Sequence, residues 1–204
     1  MALHGVPTSP RVWSRLPFEV DAPALDLDAT LEDMVARVSA RVDAETVLVG
    51  QDLGGVVAAM VAARTPVRRL VLTGTALGPY WTMVRITAWP GLHRYFYERH
   101  AGRKFLAGAV GSAHREEVAA AFPLPSGARM RALATRMTPP RGLAQSLRVP
   151  VELIWGRHDR WYPPAVAHAL ARATGAPIRW VDAGHLCNWE DPVAYGDALR
   201  LAAR

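Results

Sequence analysis

The sequence predicts an α/β fold: a mostly parallel sheet of about six strands with flanking helices, interrupted by a helical insertion. Three observations lead there. Short apolar runs alternate with helix-period patterns, the rhythm of repeated strand–helix units. One such unit carries the tight junction Gly50-Gln51-Asp52-Leu53-Gly54-Gly55 between a strand pattern and a helix pattern. Residues 79–148 then break the rhythm, with Gly78-Pro79, Trp89-Pro90-Gly91, Pro123, Pro125 and Pro139-Pro140 punctuating helical stretches.

Taken in order, the strand patterns begin at Met1-Ala2-Leu3 and Phe18-Glu19-Val20. A helical pattern covers 28–43, followed by a strand at Thr46–Val49, a helix at 53–64 and a strand at Leu70–Thr73. Beyond the insertion come a strand at Val151–Trp155, a helix at 163–174, a strand at Ile178–Val181 and a helix at 191–203. Asp191-Pro192 opens that last helix as a cap residue followed by proline at the first helical position. The expected organisation is one core domain, 1–78 and 149–204, with 79–148 inserted between two of its strands. No internal repeat or low-complexity segment is visible.

Composition narrows the class. The chain has 204 residues, of which 50% are hydrophobic, enough to bury a sizeable core. No apolar run reaches the roughly 20 residues that span a bilayer, and no signal peptide precedes Leu3, so a cytoplasmic protein with no membrane partner is expected. A single cysteine, Cys187, excludes an internal disulfide and a cysteine-rich zinc site, and no metal is expected. The net charge of +6 sits in the middle of the chain. Residues 79–148 hold eleven basic and three acidic residues, whereas the flanking parts carry −2 and 0. Every basic residue except Lys104 is arginine, and no nucleic-acid motif accompanies them, so nucleic acid is not the expected partner.

The 50–55 junction has the form of a nucleophile elbow, in which small residues flank a nucleophile held between strand and helix. Its central residue is Asp52, where most elbows carry serine. A carboxylate attacking a carbonyl would form a reactive anhydride, but attack on a saturated carbon bearing a leaving group gives a stable alkyl ester. The expected substrate is therefore a small alkylating electrophile such as an epoxide or alkyl halide. The positive end of the following helix is expected to keep Asp52 ionised.

Four stretches in order carry a resemblance to a known family: "LHGVP" (3–7), "GQDLGG" (50–55), "IWGRHDRWYP" (154–163) and "DAGHLCNWEDP" (182–192). Together they resemble the α/β-hydrolase fold from end to end, in its Asp-nucleophile branch of epoxide hydrolases and haloalkane dehalogenases. The resemblance implies Asp52 as nucleophile, Asp159 as acid and His185 as base, with the backbone N–H groups of Val6 and Leu53 forming an oxyanion hole. His185 would activate water to cleave the Asp52 ester, with no cofactor required. The insertion would be a cap, whose Tyr80, Trp81, Tyr95 and Tyr97 are candidates for substrate binding or for protonating an opening epoxide.

Several positions depart from the family pattern. Leu53 stands where tryptophan usually follows the nucleophile, and Val6 where dehalogenases often carry asparagine. Both departures count against halide release, and Leu53 departs from the usual epoxide hydrolase pattern as well; epoxide hydrolysis leads. A haloalkane dehalogenase-like reaction is the alternative, as is a lyase, isomerase or cyclase using Asp52 and His185 as an acid–base pair. A non-catalytic binding protein would not need the water-activating pair. The resemblance also implies that the usual first hairpin is absent, because Met1 falls inside what would be the third strand. The edge strand so created must be covered or paired, which opens a route to a homo-oligomer.

Overall fold

Five strands form one sheet in sequential order, all parallel: β1 (Ala2–Leu3), β2 (Val47–Gln51), β3 (Arg69–Thr73), β4 (Val151–Gly156) and β5 (Ile178–Val181). The computed structural model describes residues 1–78, 108–123, 128–129, 132–133 and 138–204. Within them the helices are α1 (Leu31–Ser39), α2 (Leu53–Ala62), α3 (Arg115–Ala121), α4 (Leu143–Ser146), α5 (Pro164–Thr174), α6 (Cys187–Glu190) and α7 (Pro192–Ala202).

Parallel strands covered on both faces should read as continuous apolar runs whose side chains point alternately to either side. The central strands do this. Leu48, Leu70, Leu72, Leu153 and Trp155 enter one core cluster with α1, α2 and α5. Val49, Val71 and Ile154, the residues between them, enter the opposite cluster with Trp13, Trp189, Tyr195 and Leu199. Each fully buried leucine or valine contributes about 1.5–3 kcal/mol relative to exposure, and the two clusters together fix the sheet between its helices. All ten residues of α2 are buried, so this helix is apolar all round and small on most sides.

Caps set the helix boundaries. Thr30 and Asp33 form a reciprocal capping box, which starts α1 at Leu31 rather than at 28. The Asp191 carboxylate accepts the Ala194 N–H at 3.0 Å, and Pro192 begins α7 as its sequence predicts. Leu143 and Ala144 of α4, which the sequence reading places in the insertion, belong to the same core cluster as α2 and α5.

One expected strand is not a strand. Residues 18–20 are irregular, which makes the sheet one strand shorter than the six expected. Pro17 and Pro23 bracket the segment, and proline supplies no N–H to a ladder. What remains is a single backbone bond, from Ala2 N–H to Asp21 O at 2.7 Å, with Phe18, Val20 and Ala22 packed against the cluster that contains Ala2. The edge beside β1 is therefore covered from within the chain. Because every strand runs the same way, the segments 4–9, 51–55, 74–78, 157–163 and 182–187 leave the sheet at one end, where sites in such folds are built.

Candidate active site

The junction after β2 has the geometry its sequence predicts. Asp52 has φ 50° and ψ −117°, and it alone among the described non-glycine residues has a positive φ. Such a conformation is strained and persists only where the surroundings hold it. Here Asp52 N–H donates to Thr73 O at 3.1 Å, and the Thr75 hydroxyl donates to Asp52 O at 2.7 Å. The flanking glycines make room for the turn. A Cβ on Gly50 would lie 2.4 Å from Gly54 O, and one on Gly54 would lie 2.4 Å from Leu3 O. No other residue fits at these positions without moving backbone.

The loop after β1 meets that turn. Val6 N–H donates to Asp52 Oδ2 at 2.8 Å. His4, buried behind it, holds the loop in place. Its Nε2 must accept, because Leu25 N–H at 3.0 Å can only donate, so Nδ1 carries the proton toward Gly5 O at 2.9 Å. Burial lowers the His4 pKa, in keeping with a neutral ring.

The loop after β4 supplies a second carboxylate. Asp159 is buried, and its Oδ1 accepts the N–H groups of Trp161 and Tyr162, both at 2.8 Å. Its Oδ2 lies 2.9 Å from Nδ1 of His185, which follows β5 and is also buried. The neighbouring His158 is a different kind of residue, on the surface with its side chain 68% exposed and 2.7 Å from Asp182. His185 itself is fixed by its backbone N–H to Ala109 O at 2.6 Å. Glu190 ties the same region together, accepting from Gly184 N–H at 2.9 Å and from Gly111 N–H at 2.7 Å. The Nε2 of His185 is buried and has no hydrogen-bond partner among the described residues.

Charges and burial act against one another here. Burial, the largest influence, raises the Asp52 carboxyl above its ordinary value. The charge of His185 and the hydrogen bonds of Val6, Leu53 and Tyr162 pull the other way without cancelling it. The helix end behind Asp52 thus does not give the net stabilisation of charge that the sequence suggests. For His185, burial favours the neutral ring, but Asp159, through charge and hydrogen bond, together with Asp52 and Glu190, raises the pKa above its ordinary value. Burial pushes the Cys187 thiol far up, which leaves it unreactive.

The structure thus brings together Val6, Leu53, Asp52, Asp159 and His185. Tyr80, Trp81, Tyr95 and Tyr97 lie outside the described residues. One residue that sequence reasoning passed over joins the group: the Tyr162 hydroxyl donates to Asp52 Oδ1 at 3.2 Å, and its ring stacks on His185 with centroids 5.6 Å apart. Its signal lay in "DRWYP", where an aspartate accepting the N–H groups two and three residues on folds the chain back toward the elbow. Among the described residues no group of three or more His, Cys, Asp or Glu could hold a metal, and no helix is long and apolar enough to cross a membrane.

Comparison with known proteins gives a consistent picture. The family model described as "Alpha/beta hydrolase family" matches residues 2–198. Curated proteins give no significant match. Among solved structures, a thermophilic esterase from Thermogutta terrifontis is 22% identical with TM-score 0.73, the match covering 98% of this chain and 87% of that one. The enol-lactonase from Burkholderia xenovorans LB400 is 19% identical with TM-score 0.76, over 98% and 88% of the two chains. A haloalkane dehalogenase loop variant from Bradyrhizobium elkanii is 22% identical with TM-score 0.71, over 99% and 87%. At these identities the likeness is one of fold.

Proposed function

The chain belongs to the alpha/beta hydrolase family, and from that premise we propose that it is a hydrolase working through a covalent alkyl ester on Asp52. The observation that carries this reading is a carboxylate at a strained elbow, with a buried histidine–aspartate pair beside it. The structural neighbours carry ester, lactone and halide chemistry in their names, so the residue at the elbow directs the choice. A carboxylate nucleophile suits a saturated carbon, and an epoxide suits this site better than an alkyl halide. The side chains of Leu53 and Val6 offer no donor to a departing halide.

The reaction then runs in two steps. Asp52 attacks a ring carbon of the epoxide, the carbon–oxygen bond opens, and the released alkoxide takes a proton from solvent to leave a hydroxyalkyl ester. His185, oriented by Asp159, takes a proton through Nε2 from water, and hydroxide adds to the Asp52 carbonyl carbon. The N–H of Val6, already on Oδ2, is set to stabilise the oxyanion that forms. Residues 79–148 are the proposed cap insertion, and the chemistry requires no cofactor.

The test is to interrupt the second step. In His185→Gln the ester should accumulate, because loss of general-base help slows its hydrolysis by about 10²–10⁴-fold. Mass spectrometry after exposure to an epoxide should find the protein heavier by the whole substrate, with the added mass on the peptide containing Asp52. A variant that binds a wild-type substrate yet never gains mass would remove the covalent route.

A further inference from the structure

Residues 109–111 of the insertion are stitched to the histidine loop twice, once by main chain and once by a carboxylate. Ala109 O accepts the His185 N–H at 2.6 Å and the Leu186 N–H at 3.4 Å. Glu190 joins the same two segments again, with Gly184 N–H on Oε1 at 2.9 Å and Gly111 N–H on Oε2 at 2.7 Å. The junction is close-packed. Ala109 and Val110 belong to one buried cluster with Ala183, Leu186, Cys187 and Trp189. A Cβ on Gly184 would lie 2.6 Å from Ala109 O and 2.8 Å from Glu190 Oε1, so the residue before the histidine rests on both.

An ionised carboxylate suits this place because it offers an acceptor oxygen to each N–H. An amide of the same size would turn an NH2 donor toward one of them. Burial raises the Glu190 carboxyl above its ordinary value, while the two N–H groups and the charges of His114 and His185 act the other way.

The His185 ring has its own supports. Nδ1 lies 2.9 Å from Asp159, and the rings of Trp161 and Tyr162 pack on it with centroids 4.8 and 5.6 Å away. These contacts fix how the ring is turned. Where its Cα stands is set by the backbone on either side, which is what Ala109 and Glu190 hold.

We propose that Glu190 is a positioning residue for the second step of the reaction: by tying Gly111 to Gly184 it sets His185 where Nε2 can take a proton from water. This rests on the base role given to His185 above. Asp52 is held from other loops, by Val6, Thr73 and Thr75, so ester formation does not depend on Glu190. Ester hydrolysis does.

The first experiment separates the two steps. Wild type, Glu190→Ala and Glu190→Gln are each mixed with styrene oxide or 1,2-epoxyhexane, and the mass on Asp52 is followed as it rises and falls. His185→Gln serves as the chain that traps any ester. Glu190→Ala should gain mass at the wild-type rate and lose it about 10²-fold more slowly, the loss expected of a base displaced by about 1 Å. Glu190→Gln, which keeps one acceptor, should fall between the two. Equal slowing of both steps, or wild-type rates in both, overturns the positioning role.

A second measurement needs no substrate. In protein carrying isotope-labelled histidine, the His185 ring is titrated by NMR. Against burial, which favours the neutral ring, the charges of Asp159, Asp52 and Glu190 raise the His185 pKa, so both Glu190 variants should titrate at lower pH than wild type. The ring protons should also shift, because Trp161 and Tyr162 stand against the ring and report its place. An unchanged titration with unchanged ring shifts overturns the proposal whatever the reaction. Changed ring signals with no ester in any chain, His185→Gln included, overturn the covalent reading and leave Glu190 as the residue that sets His185.

Discussion

The loops that follow β2 and β4 both leave the same end of the sheet, and each presents an aspartate there. They hold it in different ways. Asp159 is buried on ordinary backbone, with Oδ1 taken by two main-chain N–H groups and Oδ2 by His185. Asp52 sits at φ 50°, with Val6 N–H on Oδ2, the Tyr162 hydroxyl on Oδ1 and a further main-chain hydrogen bond from Leu53. A carboxylate with one oxygen on two main-chain donors and the other on an imidazole is placed to orient and charge that neighbour. The roles proposed for them, supporting for Asp159 and reacting for Asp52, follow this difference in how the two are held.

The sharpest way to break that comparison is to remove the carboxylate proposed to react. Asp52→Ala should reduce hydrolysis to the background rate while circular dichroism and melting stay close to wild type. It removes a carboxylate whose charge burial disfavours, while the main-chain bonds to Thr73 and Thr75 that hold the turn remain, so it carries no large cost to the fold. Activity within a small factor of wild type in a pure sample would take Asp52 out of the reaction.

The next largest effect should come from the supporting one. Asp159→Asn keeps an acceptor for the Trp161 and Tyr162 N–H groups but removes the charge beside His185, and turnover should fall by about 10⁴-fold. The pH profile supplies a second reading. A general base works only when neutral, and Asp159 contributes most to raising the His185 pKa, so wild-type activity should rise with pH through a point above the ordinary imidazole value of 6.5. In Asp159→Asn that rise should move to lower pH. A rise that stays in place would separate His185 from Asp159.

The smallest effect belongs to the residue next door. His158→Ala removes an exposed pair with Asp182, and both stability and rate should change little, by no more than about 1 kcal/mol in melting analysis. Ring nitrogens at positions 158 and 185 both approach carboxylates at under 3 Å, so distance alone does not tell them apart. Burial does.

Much of this could be read before any coordinates. All five observed strands and the helices α2, α5 and α7 fell close to where apolar runs and caps placed them, whereas α1 is shorter at both ends than the expected 28–43, because a buried parallel strand and a capped helix are local patterns. The strand expected at 18–20 failed for a reason that a closer look at Pro17 and Pro23 supplies: hydrophobic composition invites a ladder that the backbone there does not build. Asp52, Asp159 and His185 were each legible from a short stretch bounded by glycine and proline, where the chain has one way to turn.

Tyr162 was legible only in part. The pattern around it announces a turn, and nothing local says that its hydroxyl reaches a residue 110 positions earlier in the chain. By itself the sequence determined the order of the elements, the elbow and the chemistry that a carboxylate there can do, since all three follow from residue type and spacing along the chain. The tertiary structure decided how each carboxylate is held, that burial outweighs the helix end at Asp52, and that the Tyr162 hydroxyl reaches it. Those depend on distances between loops that converge only when five parallel strands lie side by side.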